Sequence, residues 1–320
     1  IVVEGATSAF FTVICMPEGG GENWDYNHIM GAIHANTPRQ IYIPLHDKTV
    51  HDFSKNELRL FSQYNTHGIK LVSIDYVDAD EFTFVNYVTN GSYDPETKVA
   101  TATANNMNVY LSREEIKIAK GDNDFLAINL TGPADFRIKT KDSAGVENID
   151  YIHETLKTKT YYVPLNNPAV HDFSKYDLTL NSWESVHTLT INSIDFVKAE
   201  EVEFVLSVEK GELVEGVYVP SAAGMTLRLN NSAVKACGAG KDFMVLELTG
   251  SPTEFMVILD NKGAWDWGYI YTAIYTKTKL YIPMAGDGRY DPARDQILLY
   301  SANAGQTIKI DSISFVNKAD

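Results

Sequence analysis

Runs such as FRIKTK from Phe136, LTLNSW from Leu178 and TLTIN from Thr188 alternate apolar and polar residues with a period of two. A strand with one buried face requires that pattern. Aromatic and β-branched residues dominate these runs, and the turn-forming clusters NGSYDPE, GDND and DNKGAWD separate them. Helical spacing is confined to SREEIKIAK from Ser112 and, more weakly, NNSAVKACG from Asn230. The pattern predicts an all-β protein.

The alternation slips phase at three equivalent places. Ile69 and Leu71 are in one phase with Ile74 and Tyr76 in the other; Leu189 and Ile191 against Ile194 and Phe196, and Ile308 and Ile310 against Ile313 and Phe315, do the same. A β-bulge at Ser73, Ser193 and Ser312 would produce this.

The slips belong to a longer repeat. VHDFSKNELRL from Val50 returns as VHDFSKYDLTL from Val170 and, degenerately, as RYDPARDQILL from Arg289. Strands ending in proline, QIYIPL at Gln40, TYYVPL at Thr160 and KLYIPM at Lys279, keep the same offset of about 120 residues. The reading is three tandem β-sandwich units over residues 1–80, 81–200 and 201–320, joined by short, fairly stiff connections. NNMNVYL from Asn105 aligns with AGMTLRL from Ala223, whereas IVVEGATSAFF at the start aligns with AINLTGPADF from Ala127. The first unit therefore lacks its N-terminal strands. We expect an apolar inner face of Phe11, Val13, Ile41 and Ile43 that needs covering, by strands upstream of Ile1 or by another protein chain. The missing start methionine and basic leader agree with a chain that begins within a longer polypeptide.

Composition narrows the chemistry. A net charge of −15 with scattered Lys and Arg disfavours nucleic acid. No apolar run is long enough for a membrane span. Cys15 and Cys237 lie in different units in apolar contexts, so two buried thiols are expected and no disulfide framework. In the Asp52, Asp172 and Asp291 motif the third copy reads DPAR for DFSK, and Tyr290 replaces His51 and His171. A structural turn capped by the carboxylate explains this better than a metal or catalytic site. His28, His34 and His153 form no metal-binding spacing. Nucleophile-elbow and phosphate-loop motifs are absent, and no carboxylate pair stands out; we expect no enzyme activity.

In order, a unit reads D-F-x-x-L-x-L-T-G, a strand of the F-x-I type, a polar loop, Y-I-P-L, D-F-S-K-x-x-L-x-L and I-x-S-I-D-F-V. This order resembles the galactose-binding-like jelly rolls of bacterial carbohydrate-binding modules. The resemblance implies a two-sheet jelly-roll sandwich, often with a structural calcium, that binds glycans without cleaving them. For calcium, GDND at Gly121 and AGDGRYDPARD at Ala285 offer closely spaced oxygens without a recognised ligand pattern.

Candidate ligand-binding residues fall in one loop of the first and third units: Trp24, Asp25 and Tyr26, and Trp265, Asp266, Trp267 and Tyr269. Aromatic rings cover the C–H faces of sugars, and carboxylates accept from their hydroxyls. The alternative is that the rings close the ends of their sandwiches, the preferred role for Trp183. The leading functional reading is non-catalytic polysaccharide binding outside the cell or on its surface. Its rivals are an adhesin or filament subunit whose sandwiches are spacers, and the ancillary part of a glycoside hydrolase.

Overall fold

The computed structural model describes residues 1–5, 9–15, 25–33, 39–46, 48, 51–62, 68–78, 81–132, 136–151, 158–250, 253–261, 264–274, 277–284, 290 and 295–319. The protein is all-β, with sheets packed as sandwiches. The first repeat contributes β1 (Val2–Gly5), β2 (Ala9–Cys15), β3 (Asp25–Ile33), β4 (Arg39–Gln40), β5 (Arg59–Ser62) and β6 (Ile69–Ser73). The second contributes β7 (Val85–Thr89), β8 (Gly91–Asp94), β9 (Val99–Ala102), β10 (Met107–Leu111), β11 (Phe125–Thr131), β12 (Arg137–Lys141), β13 (Glu147–Tyr151), β14 (Thr158–Pro164), β15 (Leu178–Ser182) and β16 (Thr188–Val197). The third contributes β17 (Val205–Glu209), β18 (Gly211–Val214), β19 (Val217–Pro220), β20 (Met225–Leu229), β21 (Phe243–Gly250), β22 (Thr253–Asn261), β23 (Ala264–Ile274), β24 (Thr278–Pro283), β25 (Gln296–Ser301) and β26 (Ile308–Val316). Helix α1 (Arg113–Ala119) follows β10, and α2 (Asn231–Gly238) follows β20.

In the second repeat the sheets run β13-β12-β15-β10-β7 and β14-β11-β16-β9-β8; in the third, β23-β22-β25-β20-β17 and β24-β21-β26-β19-β18. The two orders are the same. Each pair of sheets closes over one core: Val109, Leu111, Ile138 and Leu180 from one sheet meet Leu126, Ile128, Val163 and Ile191 from the other. The third repeat matches this with Leu227, Val257 and Leu299 against Leu246, Ile282 and Ile308. In the first repeat the sheets are β4-β1-β6 and β3-β2-β5. They have the order of the larger sheets without their last two strands, the portion that the alignment of the sequence lacks.

All three predicted bulges are present. Val72, Asn192 and Asp311 are skipped where β6, β16 and β26 pair with β1, β11 and β21, each next to the serine named above. A glycine fixes another repeated contact. A Cβ on Gly91 would lie 2.7 Å from the Met107 sulfur, and one on Gly211 would lie 2.6 Å from that of Met225. Only glycine lets these methionines, both fully buried, fill the end of the core.

The exposed apolar surface of the first repeat differs from expectation. Ile41 is buried with Val3, and Ile43 packs partly against them. Among the described residues of this repeat the exposed large apolar side chains are Leu45, Phe53 and Leu60, together with Leu71, Val72, Ile74, Tyr76 and Val77 along and beyond β6. The Ile41 expectation is corrected because β4 pairs with β1 and lays Ile41 on Val3. The side chains of Phe11 and Val13 lie outside the described residues.

Helix α2 is weak in isolation, being short and poor in apolar residues. It is held by the Asn230 side chain, which accepts from the amides of Ser232 and Ala233, and by packing. Ala233 and Ala236 join Phe125, Ala127, Tyr162 and Val202 in a buried cluster between the second and third repeats. Ser232 Oγ takes the Tyr162 amide at 2.7 Å and donates to the Tyr162 carbonyl, while Asn230 Nδ2 donates to the Thr160 carbonyl at 3.0 Å. This joint is apolar at its centre and hydrogen-bonded along the strand edge. The connection itself is a 3-10 turn, Ala199–Glu201, closed by Glu201 accepting from the Lys198 amide.

Candidate functional site

The structure corrects the placement of the third repeat's aromatic residues. They sit on β23, an edge strand paired with β22, not on a loop. Trp265 lies opposite Asp260, and Asp266 lies opposite Leu259. Because Leu259 belongs to the core, Asp266 shares its inward-facing side, while Asp260 and Trp265 share the outer face. Between Val257 and Leu259 the register breaks, and Trp267, Gly268 and Tyr269 span the place of Ile258 alone. Strict alternation fails in that bulge. Tyr269 turns into the core at 8% exposure, whereas Trp267 stays on the surface at 47%.

Trp265 and Trp267 do come together, with ring centroids 5.1 Å apart and planes tilted by 45°. Trp267 then meets the edge of Tyr300, again at 5.1 Å, on β25. Sequence reasoning missed Tyr300. It also missed Arg228 on β20, whose guanidinium lies 5.9 Å from the centre of the Trp265 ring. Arg228 is bound to Asp260 and Glu209 at 2.8 Å each and donates to Gln296 Oε1 at 3.3 Å. The outer face of this sheet is thus a continuous band of three rings beside a fixed guanidinium–carboxylate–amide cluster. The one signal for Arg228 and Tyr300 was their phase in MTLRL and QILLYS, where a buried residue stands on each side of them.

In the first repeat, Trp24 lies outside the described residues, as do the side chains of Asp25 and Tyr26, whose backbone opens β3. On the equivalent sheet of the second repeat the outer face carries a different set. Tyr87 and Tyr110 stack at 4.1 Å with planes 15° apart. Asn181 donates to Asn108, and Asn108 to Thr89. Trp183, half exposed, does not close a sandwich end as a buried ring; the Arg137 guanidinium sits 4.4 Å over it.

The DFSK segments are turns. Asp52 and Asp172 each accept from the amide and hydroxyl of the serine two residues on, at 3.0 and 2.5 Å, and each pairs with the following lysine. Ser54, with Lys55 behind it, holds the Asp52 carboxyl down at about 2. His171 accepts from the Lys141 amide and bonds the Tyr176 carbonyl; burial pushes it down to about 4, so the ring is a neutral structural piece. Asp291 and Arg294 lie outside the described residues. In GDND, Asp122 pairs with Lys198 at 2.9 Å and Asp124 accepts from the Ala199 amide, so both carboxylates hold the connection. Among the described residues no cluster of three or more His, Cys, Asp or Glu is placed to hold a metal ion.

A cleft of about 840 Å³ lies between Tyr42 and Pro44 on one side and α1 with the Asp172–Lys175 turn on the other. Its lysines already have partners: Lys117 is paired with Glu114, Lys120 bonds Asn166, and Lys175 bonds Asp172 and the Ser143 carbonyl.

No family model and no curated protein matches the chain. Among solved structures it is similar to two point mutants of Bacillus subtilis oxalate decarboxylase. One shows 11% identity over 76% of this chain and 82% of that chain with a TM-score of 0.16; the other shows 10% identity over the same shares with 0.15. The structure of oxalate decarboxylase from Bacillus subtilis at pH 4.6 gives 10% identity over 72% and 78%, with a TM-score of 0.13. Similarity at that level assigns the chain to no family and carries no functional argument.

Proposed function

We propose that this protein is a non-catalytic, carbohydrate-binding chain of three tandem jelly-roll-like repeats, acting outside the cell or at its surface. The observation that supports this best is the contiguous Trp265–Trp267–Tyr300 band beside Arg228, Asp260 and Gln296 on the outer face of the sheet. Rings set side by side offer apolar surface to the C–H faces of successive sugars. The fixed guanidinium, carboxylate and amide supply donors and acceptors to the hydroxyls at little ordering cost. The outer face of the second repeat carries a second aromatic pair, Tyr87 stacked on Tyr110, beside Asn108, which the fully buried Asn181 holds by a hydrogen bond. Two weak sites on one chain gain avidity on a polymer that a single site lacks.

The adhesin or filament reading has one observation in its favour, the packed and hydrogen-bonded helix-to-strand joint between the second and third repeats, which suits a stiff spacer. The deciding experiment is a glycan array probed with the whole chain and with Trp267→Ala. Binding to a polysaccharide that the variant loses supports the proposal; absence of binding to any glycan, or equal binding by the variant, overturns it.

A further inference from the structure

Tyr42, Tyr162 and Tyr281 occupy one position, two residues before the proline that ends the Y-x-P strand of each repeat. Their environments are unequal. Tyr42 is 9% exposed and Tyr162 6%, but Tyr281 is 53% exposed. The reason in the first two cases is the chain that comes next. Phe82 packs on Tyr42 with ring centroids 4.5 Å apart. Tyr162 lies under Val202, Ala233 and Ala236; its hydroxyl accepts from the Glu203 amide, and its backbone N–H and C=O are both bonded by Ser232 of α2.

The third repeat presents the same arrangement without its cover. On β24, Tyr281 pairs with Val245 as Tyr162 on β14 pairs with Ala127, so the backbone N–H of Tyr281 points to the outer edge of its sheet as that of Tyr162 does. Phe243 stands edge-on to Tyr281 at 6.2 Å, in the place of Phe125. The segment leaving the sandwich is held in the same register too. Asp124 accepts from the Ala199 amide at 3.1 Å, and Asp242 accepts from the equivalent Lys318 amide at 2.7 Å.

We propose that the outer edge of β24, centred on Tyr281 and Phe243, is a docking surface for a further repeat of this same kind. The contact would be made by that repeat's counterpart of α2, with an Asn-x-Ser cap against the strand edge and alanines on the tyrosine. The occupant follows from continuity: the corresponding edge of the second repeat is covered by such a helix within this chain. The inference is independent of glycan binding.

The test joins a second copy of residues 202–320 directly after Asp320 of the whole chain, preserving the spacing of the existing joint, and reads amide hydrogen exchange. At least tenfold slower exchange at Tyr281 than in the 320-residue chain is expected. That protection should be lost in Tyr281→Glu and when the appended copy carries Ser232→Ala. In the parent chain, Ser232→Ala should speed exchange at Tyr162, showing that the readout follows docking. Unchanged exchange at Tyr281 overturns the proposal, whether the appended repeat is folded as a tethered bead or unfolded, because an edge built for a repeat would hold one. Protection that survives Tyr281→Glu overturns it as well.

Discussion

The Trp267 ring stands nearly perpendicular to the Tyr300 ring, with centroids 5.1 Å apart and an interplanar angle of 83°. The pair lies outside the core between the sheets, on the outer face of the sheet, where Ile258 and Leu298 are fully buried. Trp267→Ala is expected to cost about 1 kcal/mol for each of its two ring contacts, with Trp265 and Tyr300, while removing polysaccharide binding. Parallel thermal unfolding and glycan binding measurements check this; a much larger loss of stability would mark Trp267 as a structural residue.

Two buried groups of the second repeat respond to pH in opposite directions. Burial raises Glu115 to about 7, against the hydrogen bond from the Phe84 amide and with the charge of Asp177 adding to it. Burial lowers His171 to about 4, against its Tyr176 hydrogen bond and the charges of Asp177 and Asp172. With Glu115 the folded state binds the extra proton, so its contribution to stability is lost as pH rises from about 4.5 to about 7. With His171 the unfolded state binds it, so stability is lost as pH falls from about 6.5 to about 4. Each effect is worth about 3 kcal/mol at 1.36 kcal/mol per pH unit, and they nearly cancel in the shared window. Urea unfolding across pH 4–8 should therefore give a shallow profile for the native chain. Glu115→Gln should unmask a rise in stability from pH 4 to 6.5, and a flat profile in that variant would contradict the His171 assignment.

The Cys237 thiol is half-buried beside the joint cluster, and burial, with the Asp124 charge, pushes it up to about 12. Thiolate is the reacting species. Cys237 should label far more slowly with a maleimide in the native chain than in urea, with mass spectrometry distinguishing it from Cys15. Fast native labelling would show that the joint opens readily.

Ser232 bonds both the N–H and the C=O of Tyr162. Ser232→Ala leaves those groups without that partner at a covered edge, at a cost of about 1–3 kcal/mol. Because the loss is confined to the contact between repeats, limited proteolysis near residues 198–203 should accelerate before either core unfolds. Unchanged cleavage would mean that the alanine packing and the Asn230–Thr160 and Glu203–Tyr162 hydrogen bonds hold the joint without Ser232.

Much of the architecture could be read from the chain. The period-two runs, the repeat, the three bulges beside Ser73, Ser193 and Ser312 and the turn formed by Asp52 and Asp172 are all local patterns, and the structure contains each of them. Trp265 and Trp267 were legible as a pair because they are two residues apart. Tyr269 was misjudged because the bulge opposite Ile258 breaks the alternation that a sequence reading depends on.

What the sequence determined by itself is whatever needs only neighbouring residues: which positions alternate, where the chain turns, and that one pattern recurs. Tertiary structure decided which strands lie side by side. The pairing of β25 with both β20 and β22 brings Tyr300 to Trp267 and Gln296 to Arg228, residues far apart in the chain that no local period connects. It also decided that Tyr162 is covered and Tyr281 is not. The two tyrosines stand at the same place before the strand's proline, and burial depends on what another part of a polypeptide lays on top of them.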